Sequence, residues 1–209
     1  SSRAALKFDV TFDNPFCNDP INYVFEKSLL KLCNFEDDFV KPSKKVLGFE
    51  KASKRDQPLL IKGIQTAGNL FSTENYFAEE VQKIIRIELE KYRNKFKGSS
   101  EGLILSWPQA YDLYGWLVSM KSGGAIRPHM HENGWISGSI YINVPQSRKK
   151  DSGNLVVCVD DTNESPKNKQ IIDVNTGSLC LFPSSLLHYT IPFESTEDRI
   201  VLAFDMIPQ

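Results

Sequence analysis

Apolar residues at helical spacing mark two segments in the first hundred residues of the chain. In the first segment, Asp19 offers an N-cap and Pro20 occupies the first helical position. Its apolar positions are Ile21, Val24, Phe25, Leu29 and Leu32. In the second segment, a cap at Ser72 or Thr73 precedes a longer apolar stripe that ends before Gly98. That stripe consists of Phe77, Val81, Ile84, Ile85, Leu89, Tyr92 and Phe96. The spacing predicts two amphipathic helices.

Beyond residue 100 the pattern changes to short runs rich in β-branched and aromatic residues, which are typical of strands. Seven such runs cover residues 115–120, 135–144, 154–159, 170–174, 178–182, 188–191 and 199–206. Clusters of glycine, proline and small polar residues predict turns between them, at residues 122–124, 145–153, 163–168, 175–177 and 194–198. Seven strands after two helices predict a mainly β fold with flanking helices, in the form of a sandwich or barrel.

The first hundred residues carry weaker signals outside the two helices. Residues 6–12 are strand-like, and residues 35–63 form a lysine-rich segment that we expect to be loop with at most one strand. No internal repeat or low-complexity linker divides the chain. We therefore expect a single domain over residues 1–209, in which residues 1–100 form a helical, mixed support and residues 101–209 form the β core.

The composition restricts the partners. The chain has 209 residues, of which 41% are hydrophobic and 24% charged, and its formal net charge is −1. This balance is typical of a globular protein and provides no basic excess to attract nucleic acid. No apolar run is as long as the stretch of about 18 residues that a membrane-spanning helix needs. Four cysteines in no CxxC pair favour reduced thiols in the cytoplasm. We expect a soluble protein that acts on a small molecule or a protein side chain.

The three histidines of the chain are its clearest candidate chemistry. His129 and His131 stand in RPHMHENGWISGSIYI, and side chains two positions apart point to the same face of an extended strand. Taken alone, such a pair is more often exposed or hydrogen-bonded than metal-binding, but His188 can add a third imidazole from a later strand. Three ligands on one face of a metal leave the opposite face open, and imidazole suits iron, zinc, copper or nickel.

Arg199 begins an otherwise apolar strand in EDRIVLAFDM. If its side chain points inward it needs an anion, because a buried guanidinium without a partner is costly, and its planar fork matches a carboxylate. The other interpretation is a surface arginine that pairs with Glu197 or Asp198.

Together these segments resemble a known family. HMH followed by GWISGSIYINVP, then GSLCLFPSSLLH, then RIVLAFD, is similar to the iron(II)- and 2-oxoglutarate-dependent oxygenases, and to an uncharacterised bacterial and phage subgroup related to prolyl hydroxylases. The resemblance implies a double-stranded β-helix, the jelly-roll barrel that cupins also have. It further implies an Fe(II) enzyme that hydroxylates an unknown substrate while it oxidatively decarboxylates 2-oxoglutarate to succinate.

The resemblance also implies roles for individual residues. His129 and His188 would be iron ligands, and Arg199 would bind the distal carboxylate of 2-oxoglutarate together with Tyr141. His131 departs from the superfamily, in which Asp or Glu is usual at that position. Either His131 is the third ligand, as the HxH of the subgroup indicates, or Glu132 takes its place. Glu132 is out of phase with His129 on an extended chain, which favours His131.

Two alternatives stay open. Gly123 before HxH, and Gly177 and Pro183 before His188, match cupin motifs as well. The chain could then be a three-histidine metalloprotein, a dioxygenase or isomerase that does not use 2-oxoglutarate. The glutamate that cupins carry after HxH is missing, and Arg199 favours the oxygenase. The displaced carboxylate also allows a catalytically degenerate binding or scaffold domain.

Overall fold

The computed structural model describes residues 14–48, 54–55, 57–73, 75–146, 149–162, 165 and 167–209. Its strands are β1 (Phe25–Ser28), β2 (Lys54–Arg55), β3 (Leu60–Thr66), β4 (Tyr111–Ile126), β5 (Ile136–Asn143), β6 (Leu155–Cys158), β7 (Lys169–Ile172), β8 (Ser178–Pro183), β9 (Leu187–Thr190) and β10 (Arg199–Pro208). Its helices are α1 (Lys41–Gly48), which follows a π-helical turn at Glu36–Val40, α2 (Tyr76–Lys95) and α3 (Gly102–Leu105). The predicted mainly β fold with flanking helices is confirmed. None of the described helices combines the length and apolar character that a membrane crossing requires.

Two antiparallel sheets face each other. The larger sheet has the strand order β1-β8-β5-β10-β4-β3-β2, and the smaller has the order β7-β6-β9. Leu155 and Val157 of the smaller sheet form one buried cluster with Tyr141, Phe182 and Val201 of the larger sheet. The inner faces therefore pack on each other, and the outer face of the larger sheet is left for the helices.

Strand β10 lies in the centre of the larger sheet and shows which side chains reach each face. Ile200, Leu202, Phe204 and Met206 belong to the main core, together with the apolar stripe of α2. The alternate positions Arg199, Val201, Ala203 and Asp205 line the cavities between the sheets and at their edge. The two-residue period of a strand thus places apolar residues under the helix and every charged residue of β10 on the inner face.

The second predicted helix is confirmed as α2, and all seven strands predicted beyond residue 100 are present as β4 to β10. The helix begins later than expected, because its N-cap is Asn75, whose side chain accepts a hydrogen bond of 2.9 Å from the Ala78 backbone N–H. Its expected stripe is buried at Phe77, Val81, Ile85, Leu89 and Tyr92. Asparagine is as good an N-cap as serine, so the cap position was ambiguous.

The first predicted helix is wrong. The chain after Asp19 makes only a 3-10 turn at Pro20–Tyr23, and the Asp19 side chain forms no capping bond. It then enters β1, where Phe25 is the partner of Leu181 on the edge of the larger sheet. Helix propensity is a weak local preference. Here the hydrogen bonds that the edge of the larger sheet offers to the backbone outweigh it.

The region predicted to be loop also contains regular structure. Within residues 35–63 the chain forms the π-helical turn, α1, β2 and the start of β3. β3 extends the larger sheet by pairing with β4, so this sheet takes strands from both halves of the chain. The strand predicted at residues 6–12 lies outside the described residues.

The turn predicted at residues 122–124 is wrong as well, because β4 runs through it. Gly123 has a φ of +75°, a conformation that glycine adopts without strain. Its N–H donates to the Phe193 carbonyl at 2.6 Å, and the pairing of β3 with β4 shifts register between Ile61 and Gly63. The glycines make a bulge that bends one long strand instead of ending it.

Gly138 provides a test of this packing. An added Cβ would lie 2.2 Å from Cζ of Phe204 in the main core, whereas a Cβ on the exposed Gly98 meets no atom within 4 Å. We expect Gly138→Ala to lower the free energy of unfolding by about 1–3 kcal/mol, the usual cost of overpacking. Gly98→Ala should change it by less than about 0.5 kcal/mol. Urea denaturation measures both, and equal midpoints would contradict the packing of β5 against β10.

Candidate active site

Backbone pairing brings the three histidines together. The His129 N–H donates to the His188 carbonyl at 3.2 Å, and the His188 N–H donates back to His129 at 2.8 Å. Two residues further on, the His131 N–H donates to the Ser184 carbonyl at 3.2 Å. Residues 129–131 are therefore extended alongside residues 184–188, so both side chains of the HxH pair point the same way, as predicted. The nearest ligand nitrogens of the three imidazoles all lie within 4.8 Å of one another.

The Nδ1 atom of each imidazole contacts an oxygen. Nδ1 of His129 lies 2.8 Å from the Arg127 carbonyl, and Nδ1 of His188 lies 3.3 Å from the Leu186 carbonyl. Nδ1 of His131 lies 2.7 Å from Oδ1 of Asp205. Carbonyl and carboxylate oxygens accept hydrogen bonds, so each Nδ1 carries a proton and Nε2 is the ring nitrogen left for a metal. The three rings thus offer three imidazole nitrogens.

Burial favours the uncharged form of His129 and His188. Desolvation, with a further contribution from the two neighbouring rings, lowers the pKa of His188 well below its ordinary value. Desolvation also lowers the pKa of His129. Neutral imidazole is the form that binds a metal, so little proton release is needed before a cation enters.

Arg199 lies at the other end of the same cavity, and it is buried. Its exposed fraction is 2%, and its Nε has no hydrogen-bond partner in the part of the chain that the structure describes. The Tyr141 ring centroid lies 5.0 Å from Cζ, and Tyr141 is its hydrogen-bonding neighbour. No carboxylate of the described residues faces the guanidinium, and burial lowers its pKa. The surface interpretation is therefore wrong, because Arg199 is buried; Asp198, one of the two partners considered, accepts a 3.4 Å bond from Ser119.

One cavity contains all five of these side chains. Its lining includes the three histidines, Tyr141 and Arg199, with apolar walls from Leu155, Phe182 and Val201. Burial raises the pKa of Tyr141, so its phenol stays protonated and can donate. A buried guanidinium without an anion is unstable by several kcal/mol, about the cost of an unpaired internal charge, so this cavity is built for an anion.

A wider groove opens beside the histidines. It is lined by Tyr114, Trp116, Met130, Glu132 and Asp205, among others. Glu132 lies in the turn after His131, is exposed, and is not part of the cluster of converging ligand atoms. The described geometry brings His131, and not Glu132, to the other two histidines.

Asp205 is the functional candidate that sequence reasoning missed. It lies six positions after Arg199 on β10, so the two have the same parity and face the same side. Its partner on the neighbouring strand β5 is Ser137, whose hydroxyl oxygen is 2.7 Å from Oδ1 of Asp205. The signal was present in the sequence, as a second charged residue in phase with Arg199 in an apolar strand.

The fold is shared with several solved structures. A prolyl-4-hydroxylase from Pseudomonas putida is similar with a TM-score of 0.64 and 12% identity, covering 89% of this chain and 92% of that one. A prolyl hydroxylase from Trichoplax adhaerens, in complex with a hypoxia inducible factor peptide fragment, gives 0.62 and 11%, covering 91% and 88%. HygX from Streptomyces hygroscopicus, with nickel and 2-oxoglutarate bound, gives 0.54 and 12%, covering 89% and 83%. The fold is therefore the double-stranded β-helix.

No curated protein sequence matches the chain. The family described as "Putative 2OG-Fe(II) oxygenase" matches residues 114–205, a span that contains all five side chains of the cavity. Iron(II) and 2-oxoglutarate, which give that family its name, fit what is present: three converging imidazole nitrogens and a buried guanidinium whose Nε lacks a partner among the described residues. Residues 114–205, which carry the whole site, are thus similar to the putative 2OG-Fe(II) oxygenases, and the chain shares its fold with the prolyl hydroxylases.

Proposed function

We propose that the protein is an Fe(II)- and 2-oxoglutarate-dependent dioxygenase that hydroxylates a small molecule or a protein side chain. The observation that supports this most strongly is the buried guanidinium of Arg199, whose Nε has no hydrogen-bond partner among the described residues, in the same cavity as three converging imidazoles. A zinc enzyme or a simple metal-storage site would need the imidazoles but has no use for Arg199. A dicarboxylate co-substrate uses both ends of the cavity.

In this proposal His129, His131 and His188 hold the iron through their Nε2 atoms. Their Nδ1 protons bond to fixed oxygens, so the rings keep their orientation when the site is empty and lose little entropy on binding. When bound, iron(II) supplies the activation of dioxygen that couples oxidative decarboxylation of 2-oxoglutarate to hydroxylation of the substrate. Glu132 remains the alternative third ligand if its turn rearranges.

Arg199 and Tyr141 bind the distal carboxylate of 2-oxoglutarate. A guanidinium gives a carboxylate two parallel hydrogen bonds, and a protonated phenol adds a third donor. The apolar walls at Leu155, Phe182 and Val201 exclude water, which strengthens these bonds and orients the co-substrate toward the histidines.

The substrate would approach through the wider groove. Trp116 and Met130 provide apolar surface beside the histidines, while Glu132 and Asn133 provide polar groups at the rim. We propose that residues 1–209 act as one domain, because β1 to β3 complete the sheet that carries the site. None of the four cysteines, all of which lie in the described residues, forms a disulfide, which supports a cytoplasmic location, and the net charge of −1 gives no support for a nucleic-acid partner.

The first prediction concerns turnover without substrate. Protein purified anaerobically, loaded with Fe(II) and 2-oxoglutarate and then exposed to oxygen should release succinate slowly, because these enzymes need only the co-substrate for the decarboxylation half of the reaction. His188→Ala should release none above the rate of free Fe(II), since one of three ligands is lost. Succinate measured by chromatography decides the matter. Metal binding by three histidines without any 2-oxoglutarate consumption would favour the cupin-type alternative.

The second prediction concerns the guanidinium. Arg199→Met keeps the length of the side chain but removes its charge, so 2-oxoglutarate affinity should fall by about 10- to 100-fold, the value of a charge-assisted hydrogen bond. Calorimetric titration of 2-oxoglutarate into Mn(II)-loaded protein measures it. The matched control is Arg93→Met, because Arg93 is exposed and lies outside the cavity, with Glu90 at 3.9 Å as its ion-pair partner. An affinity that Arg199→Met leaves unchanged would exclude this carboxylate site.

A further inference from the structure

We propose that Asp205 is a positioning residue of the metal site. It supplies, behind the imidazole of His131, the carboxylate that the superfamily places directly on the metal. The proposal rests on the proposed function, because it assigns a role toward the metal that the three histidines hold. Its structural basis is the 2.7 Å contact between Oδ1 of Asp205 and Nδ1 of His131. His129 and His188 use backbone carbonyls in the equivalent place, so His131 alone among them is backed by a charged group.

The carboxylate of Asp205 is held in place by a second residue. Ser137 Oγ lies 2.7 Å from Oδ1 of Asp205 and 2.9 Å from Ser184 Oγ. A hydroxyl has one proton, and a carboxylate is the stronger acceptor, so Ser137 donates to Asp205. The same Oδ1 atom thus receives the Nδ1–H of His131 and the hydroxyl of Ser137. The Ser184 carbonyl accepts a hydrogen bond from the His131 backbone N–H. The same group of residues therefore fixes both the ring and the main chain of His131.

The surroundings leave no other evident task for this carboxylate. The side chain of Asp205 is only 12% exposed, and His131 is its only ion-pair partner among the residues that the structure describes. A mostly buried carboxylate needs hydrogen-bond donors, and His131 and Ser137 supply them here. Gly134 packs closely on the same group, since an added Cβ would lie 2.4 Å from Ser184 Oγ and 3.4 Å from Oδ1 of Asp205.

Charge gives the arrangement its function. With Asp or Glu as a ligand, one negative charge offsets the dication, whereas three neutral imidazoles offset none. Asp205 returns one negative charge through His131, which raises the basicity of Nε2 and fixes the ring in the tautomer that a metal requires. The site therefore has the charge balance of a two-histidine, one-carboxylate site with the carboxylate displaced outward by one imidazole.

The test measures metal affinity and needs no turnover. Co(II) is titrated into wild-type protein and into Asp205→Asn, and binding is followed by calorimetry and by the visible absorption of Co(II). Asparagine has the same shape and can still accept from His131, so it removes only the charge. We expect Co(II) to bind about 10- to 100-fold more weakly, as for other carboxylates behind metal-ligating histidines. Asp112→Asn is the matched control, because Asp112 is exposed on the neighbouring β4 and contacts Gln209; its affinity should equal that of wild type.

A second background separates positioning from a structural role. In His131→Asp the carboxylate is itself in the ligand position and the imidazole that Asp205 contacts is gone. Adding Asp205→Asn to His131→Asp should therefore change Co(II) affinity by no more than about twofold, the limit within which independent substitutions add. If Asp205 only stabilises the strands, Asp205→Asn will cost the same in both backgrounds, and the proposal is overturned.

The outcomes also distinguish this inference from the proposed function. If wild type binds Co(II) and His188→Ala does not, the histidine site stands, and an unchanged affinity in Asp205→Asn then refutes the role of Asp205 alone. If His188→Ala binds Co(II) as well as wild type, the histidines are not the site and both proposals fail. Thermal unfolding of each variant without metal confirms that it is folded at the temperature of the titration.

Discussion

The alternation of side chains along β10 is the constraint on which the rest of the structure depends. One face of this central strand must be apolar, because it lies in the main core under α2, and the other face is free to carry chemistry. Arg199 and Asp205 have the same parity, so both charges point inward and neither enters the main core. A slip of one residue would bury both charges under the helix, which makes the register of this strand inseparable from the site.

The two ends of the cavity between the sheets favour ligands of opposite charge. At one end, three imidazoles and the carboxylate of Asp205 behind His131 form a place for a cation. At the other end, Arg199 without a carboxylate partner forms a place for an anion. An ion pair between Arg199 and Asp205 would satisfy both residues and abolish both sites. The strand that separates them prevents it, so the complementary occupants are a metal cation at the histidines and an anion at Arg199.

Much of the site could be predicted from the sequence, because strand periodicity is local. The HxH pair, the parity of Arg199 and the seven strands beyond residue 100 all follow from a two-residue period, and the structure contains each of them. The first helix failed for a tertiary reason: the edge of the larger sheet recruits Phe25–Ser28 as β1. The contact between Asp205 and His131 joins residues 74 positions apart, and only the register of β10 against β5 reveals it.

The most direct measurement is a crystal structure grown without oxygen in the presence of Mn(II) and 2-oxoglutarate. The account predicts a metal bonded to Nε2 of His129, His131 and His188, with Asp205 on Nδ1 of His131 and a carboxylate of 2-oxoglutarate on Arg199 and Tyr141. A metal that is bonded to Glu132 in place of His131, or 2-oxoglutarate that lies away from Arg199, would contradict it.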